Sequence, residues 1–280
     1  MSIPGTATAL RSSSLLNLAK PFTPNSLKTL RLALSSVQQL DQSPSQPQSP
    51  SQPQSPSNKS RNAGVLIPLC NVGGKPGILF QVRAKNLRNH SGEVSFPGGR
   101  IDDTDASFLD GALRETEEEL GIRPEEIDVL GEIGPPEENL RGDMCVWPYV
   151  GFIHERGTKQ PECDDSPYPS LDLSQIRRVM SVSEVDVVFH VPLTELSTLS
   201  RLRSYLFRGE RSYWAVDVTD LVRSAEVPSG ASGSNSVGTE AIHSEPLPDE
   251  VGFGRGGRVE IWGLTGWYLS LLLRRLEVYQ

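Results

Sequence analysis

The chain has 280 residues, of which 36% are hydrophobic and 22% charged, enough for one substantial globular domain or two small ones, while its 22 Pro and 25 Gly mark stretches with little to bury. Lys and Arg number 27 against 35 Asp and Glu, and the formal charge of −8 disfavours a protein that coats a nucleic-acid polymer. Cys70, Cys145 and Cys163 are odd in number and far apart, with no C-x-x-C pair, so neither a disulfide framework nor a zinc knuckle is expected and the chain reads as soluble and intracellular, in a reducing compartment.

In chain order, residues 1–40 carry Arg11, Lys20, Lys28 and Arg31 and no acid. Such a basic, Ser-rich start fits a mitochondrial transit peptide, with residues 1–25 as a targeting or disordered segment. Residues 26–37 also read as an amphipathic helix within 26–40, with Leu27, Leu30 and Leu34 on one face, and both readings stay open. Residues 43–57 repeat SPSQPQSPSQPQSPS, which has nothing to bury and favours extended polyproline II, so 41–62 is expected to be a linker. The folded domain is expected over 63–280.

Two apolar runs, 64–70 and 77–83, flank Gly73-Gly74 and predict a hairpin. Residues 106–120 predict a helix that Thr104 or Asp105 would cap at its start and Gly121 at its end. Strand-like runs follow at 129–133, 146–153, 187–191, 213–218 and 259–262, and 263–279 predicts a packed closing helix. Between them, 158–173 and 228–258 are rich in Pro, Gly, Ser and Asp and read as surface insertions. Strands mixed with a few helices, without strict alternation, predict an α/β protein with a mixed sheet sandwiched by helices. No run of about 18 apolar residues is present, so no membrane partner is expected, and the oligomeric state is open.

The chemistry concentrates between residues 98 and 122. On a helix, Glu115, Glu118 and Glu119 fall at i, i+3 and i+4 on one face, where like charges cost about 0.2–0.5 kcal/mol per pair. A divalent cation offsets that cost, and oxygen ligands without His or Cys suit Mg²⁺ or Mn²⁺. Leu109, Leu113, Thr116 and Leu120 would face the core, so the acidic face is expected to point outward. It would point toward the opening left by Gly98-Gly99, where the backbone lets a bulky anion approach closely. Arg114 is placed to pair with the acids or with a phosphate.

The run Gly99-x5-Asp105-x8-Arg114-Glu115-x2-Glu118-Glu119-x-Gly121-Ile122 resembles the Nudix box of the Nudix hydrolases. Asp105 stands where the general box has Glu, and the gap to Arg114 is one residue longer. Both departures are features of one branch. The preceding Leu79-Phe80-x2-Arg83-x3-Leu87-Arg88-x-His90-x-Gly92-Glu93-Val94-Ser95-Phe96-Pro97-Gly98-Gly99 resembles the segment characteristic of coenzyme A pyrophosphatases. The later Ser183-Glu184-Val185 and Ile261-Trp262-Gly263 segments look like the same branch.

The resemblance implies a Nudix fold, an α/β/α sandwich, and metal-dependent hydrolysis of CoA and its thioesters. The products would be adenosine 3′,5′-bisphosphate and (acyl-)4′-phosphopantetheine, released by water attack on phosphorus. It implies Glu115, Glu118 and Glu119 as ligands of Mg²⁺ or Mn²⁺, Glu118 or Glu184 as general base, and Arg114 among the catalytic groups. Arg83, Arg88, His90, Gly98 and Gly99 would contact substrate. The alternatives are another nucleotide substrate such as 8-oxo-dGTP, and a non-catalytic nucleotide-binding module. The family includes peroxisomal members, though the chain closes Val278-Tyr279-Gln280 rather than Ser-Lys-Leu.

Overall fold

Near-continuous burial along two long neighbouring strands, β1 (Asn62–Val72) and β2 (Lys75–Arg83), organises the molecule around two cores. Leu66 and Cys70 of β1 point into one core and Ile67 and Leu69 into the other, as the two-residue period of a strand requires. The computed structural model describes residues 15–35, 61–139, 141–159, 161–226 and 257–279.

β1 runs antiparallel to β2 and parallel to β7 (Cys145–Ile153). β2 also pairs antiparallel with β3 (Val94–Ser95) and β8 (Val185–Pro192), and β4 (Gly98–Arg100) lies antiparallel to the start of β1. Beyond β7 lie β5 (Ile127–Glu132) and β6 (Glu137–Glu138), both antiparallel to it. The sheet is therefore mixed, with one parallel pair among the described residues. A second, antiparallel sheet joins β9 (Leu202–Phe207), β10 (Arg211–Asp217) and β11 (Glu260–Ile261). Helices cover both faces: α2 (Phe108–Leu120) and α3 (Leu173–Val179) pack into one core. α1 (Pro24–Ser35), α5 (Thr219–Glu226) and α6 (Gly263–Arg275) pack into the other, and the single turn α4 (Leu193–Leu196) follows β8.

The folded body does not begin at residue 63. Phe22 is buried against Phe152, edge-on with ring centroids 5.7 Å apart, and α1 buries Leu27, Leu30 and Leu34. The helix starts at Pro24 because Thr23 and Ser26 bond reciprocally, Ser26 Oγ accepting from Thr23 N at 2.8 Å and Thr23 Oγ1 from Ser26 N at 3.2 Å. Asn71, fully buried in β1, ties this segment down. Its Oδ1 accepts from Phe22 N at 2.7 Å, and its Nδ2 donates to Phe22 O at 3.1 Å and Tyr168 O at 3.0 Å.

The same residue draws in part of the expected insertion at 158–173. Tyr168 N donates to Phe22 O, Leu171 N donates to Asn71 O, Leu171 is buried, and Asp172 caps α3. β9 is a strand that the sequence reading passed over, and the closing helix ends at Arg275 rather than 279, with Val278 and Tyr279 buried beyond it. The residue 43–57 repeat, residues 1–14 and most of the 228–258 segment lie outside the described residues. No helix among the described residues is long and apolar enough to cross a membrane.

Candidate active site

α2 is positioned by its ends. Ser107, not Thr104 or Asp105, is its N-cap: Ser107 Oγ accepts from Asp110 N at 3.1 Å. Asp105 is drawn elsewhere, because its carboxylate receives Arg114 Nε at 2.9 Å and Arg114 Nη2 at 3.1 Å, a two-pronged pairing that fixes the loop onto the helix. Gly121 closes the helix in the left-handed conformation at φ 68°, its N–H donating to Glu117 O.

The three helix carboxylates do not share one solvated face. Ala112, Thr116 and Leu120 form the buried stripe, Leu109 and Leu113 are half-buried, and Glu119 itself is only 3% exposed. Glu115 is half-buried and Glu118 exposed. Glu119 turns inward to β4 and β2: its Oε2 accepts from Gly98 N at 2.9 Å and from Gln81 Nε2 at 2.9 Å, and Arg83 Nη1 lies 3.7 Å from its Oε1. Gln81 and Arg83 reach it because they share with Leu79 the face of β2 that α2 covers. Burial pushes the Glu119 carboxyl up to about 7, against the lowering effect of Gly98, Gln81 and Arg83.

Glu115 lies against Gly99, where a Cβ would collide with its carboxylate, so only glycine leaves that carboxylate its place. Its carboxyl is raised by burial, opposed by Arg114, and raised further by the charges of Glu118 and Glu184. Arg114 holds the assembly together. Besides Asp105 it donates from Nη1 to Glu118 Oε2 at 3.0 Å, from Nη2 to Arg100 O at 2.9 Å, and stands 3.1 Å from Glu115 Oε1. With its donors so engaged, Arg114 orients carboxylates rather than offering a fork to phosphate.

Glu184 is exposed in the turn before β8, and its carbonyl accepts from Ala84 N at 2.9 Å, which sets it beside Arg83. His90 adopts φ 55° and its Nδ1 lies 3.0 Å from Glu93 Oε2, a hydrogen bond that raises its pKa. It faces Glu93 rather than the helix carboxylates. Arg88 is exposed on the same loop and makes no contact with them. Gln81 and Asp105 are the site members that sequence reasoning did not assign. A glutamine inside the apolar run 77–83 is the signal for the first, and the bond to Arg114 gives the second its meaning.

Among the described residues no three of His, Cys, Asp or Glu cluster tightly enough to hold a metal ion alone. The donors still suit a hard divalent cation. Two carboxylates, Glu115 and Glu119, converge on a glycine cradle, and Mg²⁺ characteristically takes one or two carboxylates and completes its shell with water and substrate phosphates. The raised carboxyl of Glu119 is a group whose ionised form a cation would favour.

The model of the NUDIX domain matches residues 60–197. An uncharacterized Nudix hydrolase, NudL of Cronobacter sakazakii, is 41% identical over 141 residues, which is 50% of this chain and 62% of that protein. A NudL of Escherichia coli O1:K1 is 40% identical over the same shares. The chain thus spans 62% of the length of these curated relatives. Among solved structures, the NUDIX domain of Shewanella oneidensis NrtR in complex with ADP ribose is 18% identical, over 47% of this chain and 85% of that one, at a TM-score of 0.30. An Ap4A hydrolase of C. elegans is 18% identical over 42% of this chain and 84% of its own, at a TM-score of 0.28.

Proposed function

From a chain whose residues 60–197 match the model of the NUDIX domain, with a mixed sheet between helices, we propose that it hydrolyses the pyrophosphate bond of coenzyme A and its thioesters. The observation that carries this reading is the convergence of Glu115 and Glu119 on Gly98-Gly99, directly after the segment that resembles coenzyme A pyrophosphatases. Glu115 and Glu119 would hold Mg²⁺ or Mn²⁺, with Glu118 at the rim. When bound, such an ion neutralises charge on the pyrophosphate oxygens and acidifies water.

The chain's own groups do the rest. Arg114, fixed by Asp105, keeps Glu115 and Glu118 in place, and Gln81 and Gly98 N hold Glu119. Glu118 is occupied by Arg114, whereas the Glu184 carboxylate has no ion-pair or hydrogen-bond partner among the described residues and its charge is felt at Glu115. Glu184 is therefore the base of this proposal: it takes a proton from the attacking water as the water oxygen bonds to phosphorus and the bridging P–O bond breaks. Gly98 and Gly99 let the β1 backbone and the Glu115 carboxylate close on the chain rather than leaving room there for the pyrophosphate, Arg83 supplies charge beside Glu119, and Arg88 and His90 on the preceding loop would meet the outlying parts of the substrate.

The test is a substrate panel of CoA, acetyl-CoA, a dinucleoside polyphosphate and 8-oxo-dGTP, each with Mg²⁺ or Mn²⁺. The highest kcat/KM on the CoA substrates is expected, with Glu184→Gln lowering kcat by about 10²–10⁴. Preferential cleavage of 8-oxo-dGTP or of the dinucleotide would overturn the CoA reading. Binding of CoA without turnover would make the domain a non-catalytic module.

A further inference from the structure

A cavity of about 790 Å³ lies apart from this site. It opens between α1, the turn after β5, and the last two turns of α6, and its apolar lining joins the core on the sheet face opposite α2. Ile133, Trp267 and Leu271 wall it, and Leu32, at 73% exposure among the most exposed large apolar side chains described, stands at its edge. Ligand sites of folded proteins run from about 300 to 1,000 Å³ and pair such walls with a few placed charges.

Glu137 and Glu277 share the lining with Arg211, Arg274 and Arg275. Arg211 is committed: it forks onto Glu137 at 2.6 and 2.9 Å and lies 4.5 Å over the Trp267 ring. That leaves Arg274 and Arg275, which have no carboxylate partner among the described residues. Arg274 Nη2 donates to Ser212 O at 2.6 Å, while its Nε is buried with no hydrogen-bond partner. Buried guanidinium N–H groups are ordinarily satisfied, and the Arg274 side chain lines the cavity.

We propose that this cavity binds a free single-chain amphipathic carboxylate, its alkyl chain against Leu32, Ile133, Trp267 and Leu271 and its head group at Arg274 and Arg275. Nothing in this depends on the chemistry at Glu115 and Glu119.

Trp267 makes the test direct. The full chain is titrated, below micelle formation, with octanoate, decanoate and dodecanoate, with decyltrimethylammonium as the cation of equal chain length, and with 12-bromododecanoate as a contact quencher of tryptophan fluorescence. Saturable binding of the carboxylates is expected, tighter by about fourfold per added methylene. The brominated chain should quench fluorescence in the wild type and much less in Trp267→Phe. Arg275→Glu should weaken decanoate by tenfold or more, and Leu271→Arg should block it while hydrolysis of the pyrophosphate substrate and the far-UV circular dichroism stay at wild-type values. The proposal is overturned by absence of saturable binding, by equal binding of the cation, or by affinity indifferent to both Arg275→Glu and Leu271→Arg. Binding to phosphatidylglycerol vesicles without binding of free decanoate would also overturn it, making the surface a membrane contact.

Discussion

At the scale of the residue, the site rests on close approach. A methyl group at Gly99 would occupy the place of the Glu115 carboxylate, so Gly99→Ala should displace Glu115 by about 1 Å and lower kcat/KM by about 100-fold with little change in melting temperature. A wild-type rate in that variant would remove Glu115 from the site. Gln81 acts one step further out. Gln81→Leu deletes a donor to Glu119, which should raise the Mg²⁺ concentration for half-maximal rate; a drop in melting temperature without that shift would reduce Gln81 to packing. That Glu115, Glu118 and Glu119 lie on one helix at i, i+3 and i+4 was legible in the sequence. That Glu119 is buried was not, because the groups that bury and satisfy it come from β2 and β4.

At the scale of the element, neighbours decide among local options. Thr104, Asp105 and Ser107 are all able to cap a helix, and Ser107 caps α2 because Arg114 has claimed Asp105, a contact between residues nine apart. The short helical turn after α2 shows the same principle with a measurable pH signature. Burial alone would raise the Glu126 carboxyl, but hydrogen bonds from Arg156 and from the Arg123 backbone and side chain outweigh it and hold the carboxyl at about 2. The folded value lies below the unfolded 4.5, so the contribution is present above about pH 4.5 and is lost as pH falls toward 2. Because both arginines are half-exposed, it is worth about 1–2 kcal/mol. Chemical denaturation of Glu126→Gln should show that loss at pH 7 and a flattened acid limb between pH 5 and 2.

At the scale of the whole molecule, the periodicity of β1, β2, β7, β8 and α6 was readable, and with it the α/β class. What could not be read is the attachment of the N-terminal segment, since it depends on one buried side chain. Asn71 satisfies both backbone groups of Phe22 and the carbonyl of Tyr168, positions 49 and 97 residues away. Asn71→Ala strands the buried Phe22 N–H and removes the Asn71 donor from Tyr168 O, while Phe22 O keeps Tyr168 N, and should cost about 2–3 kcal/mol in urea unfolding, with faster hydrogen exchange concentrated in α1. Uniform exchange across the sheet would contradict that attachment.

The most direct test of the central claim is mass-spectrometric analysis of CoA incubated with the protein and Mn²⁺ in ¹⁸O-labelled water, beside Glu119→Gln and an EDTA control. Adenosine 3′,5′-bisphosphate and 4′-phosphopantetheine are expected in equal amounts, with a single ¹⁸O on one of the two products and turnover abolished by EDTA and by the substitution. Intact CoA in the wild type, or the same products from Glu119→Gln at the wild-type rate, would contradict hydrolysis at the Gly98-Gly99 cradle.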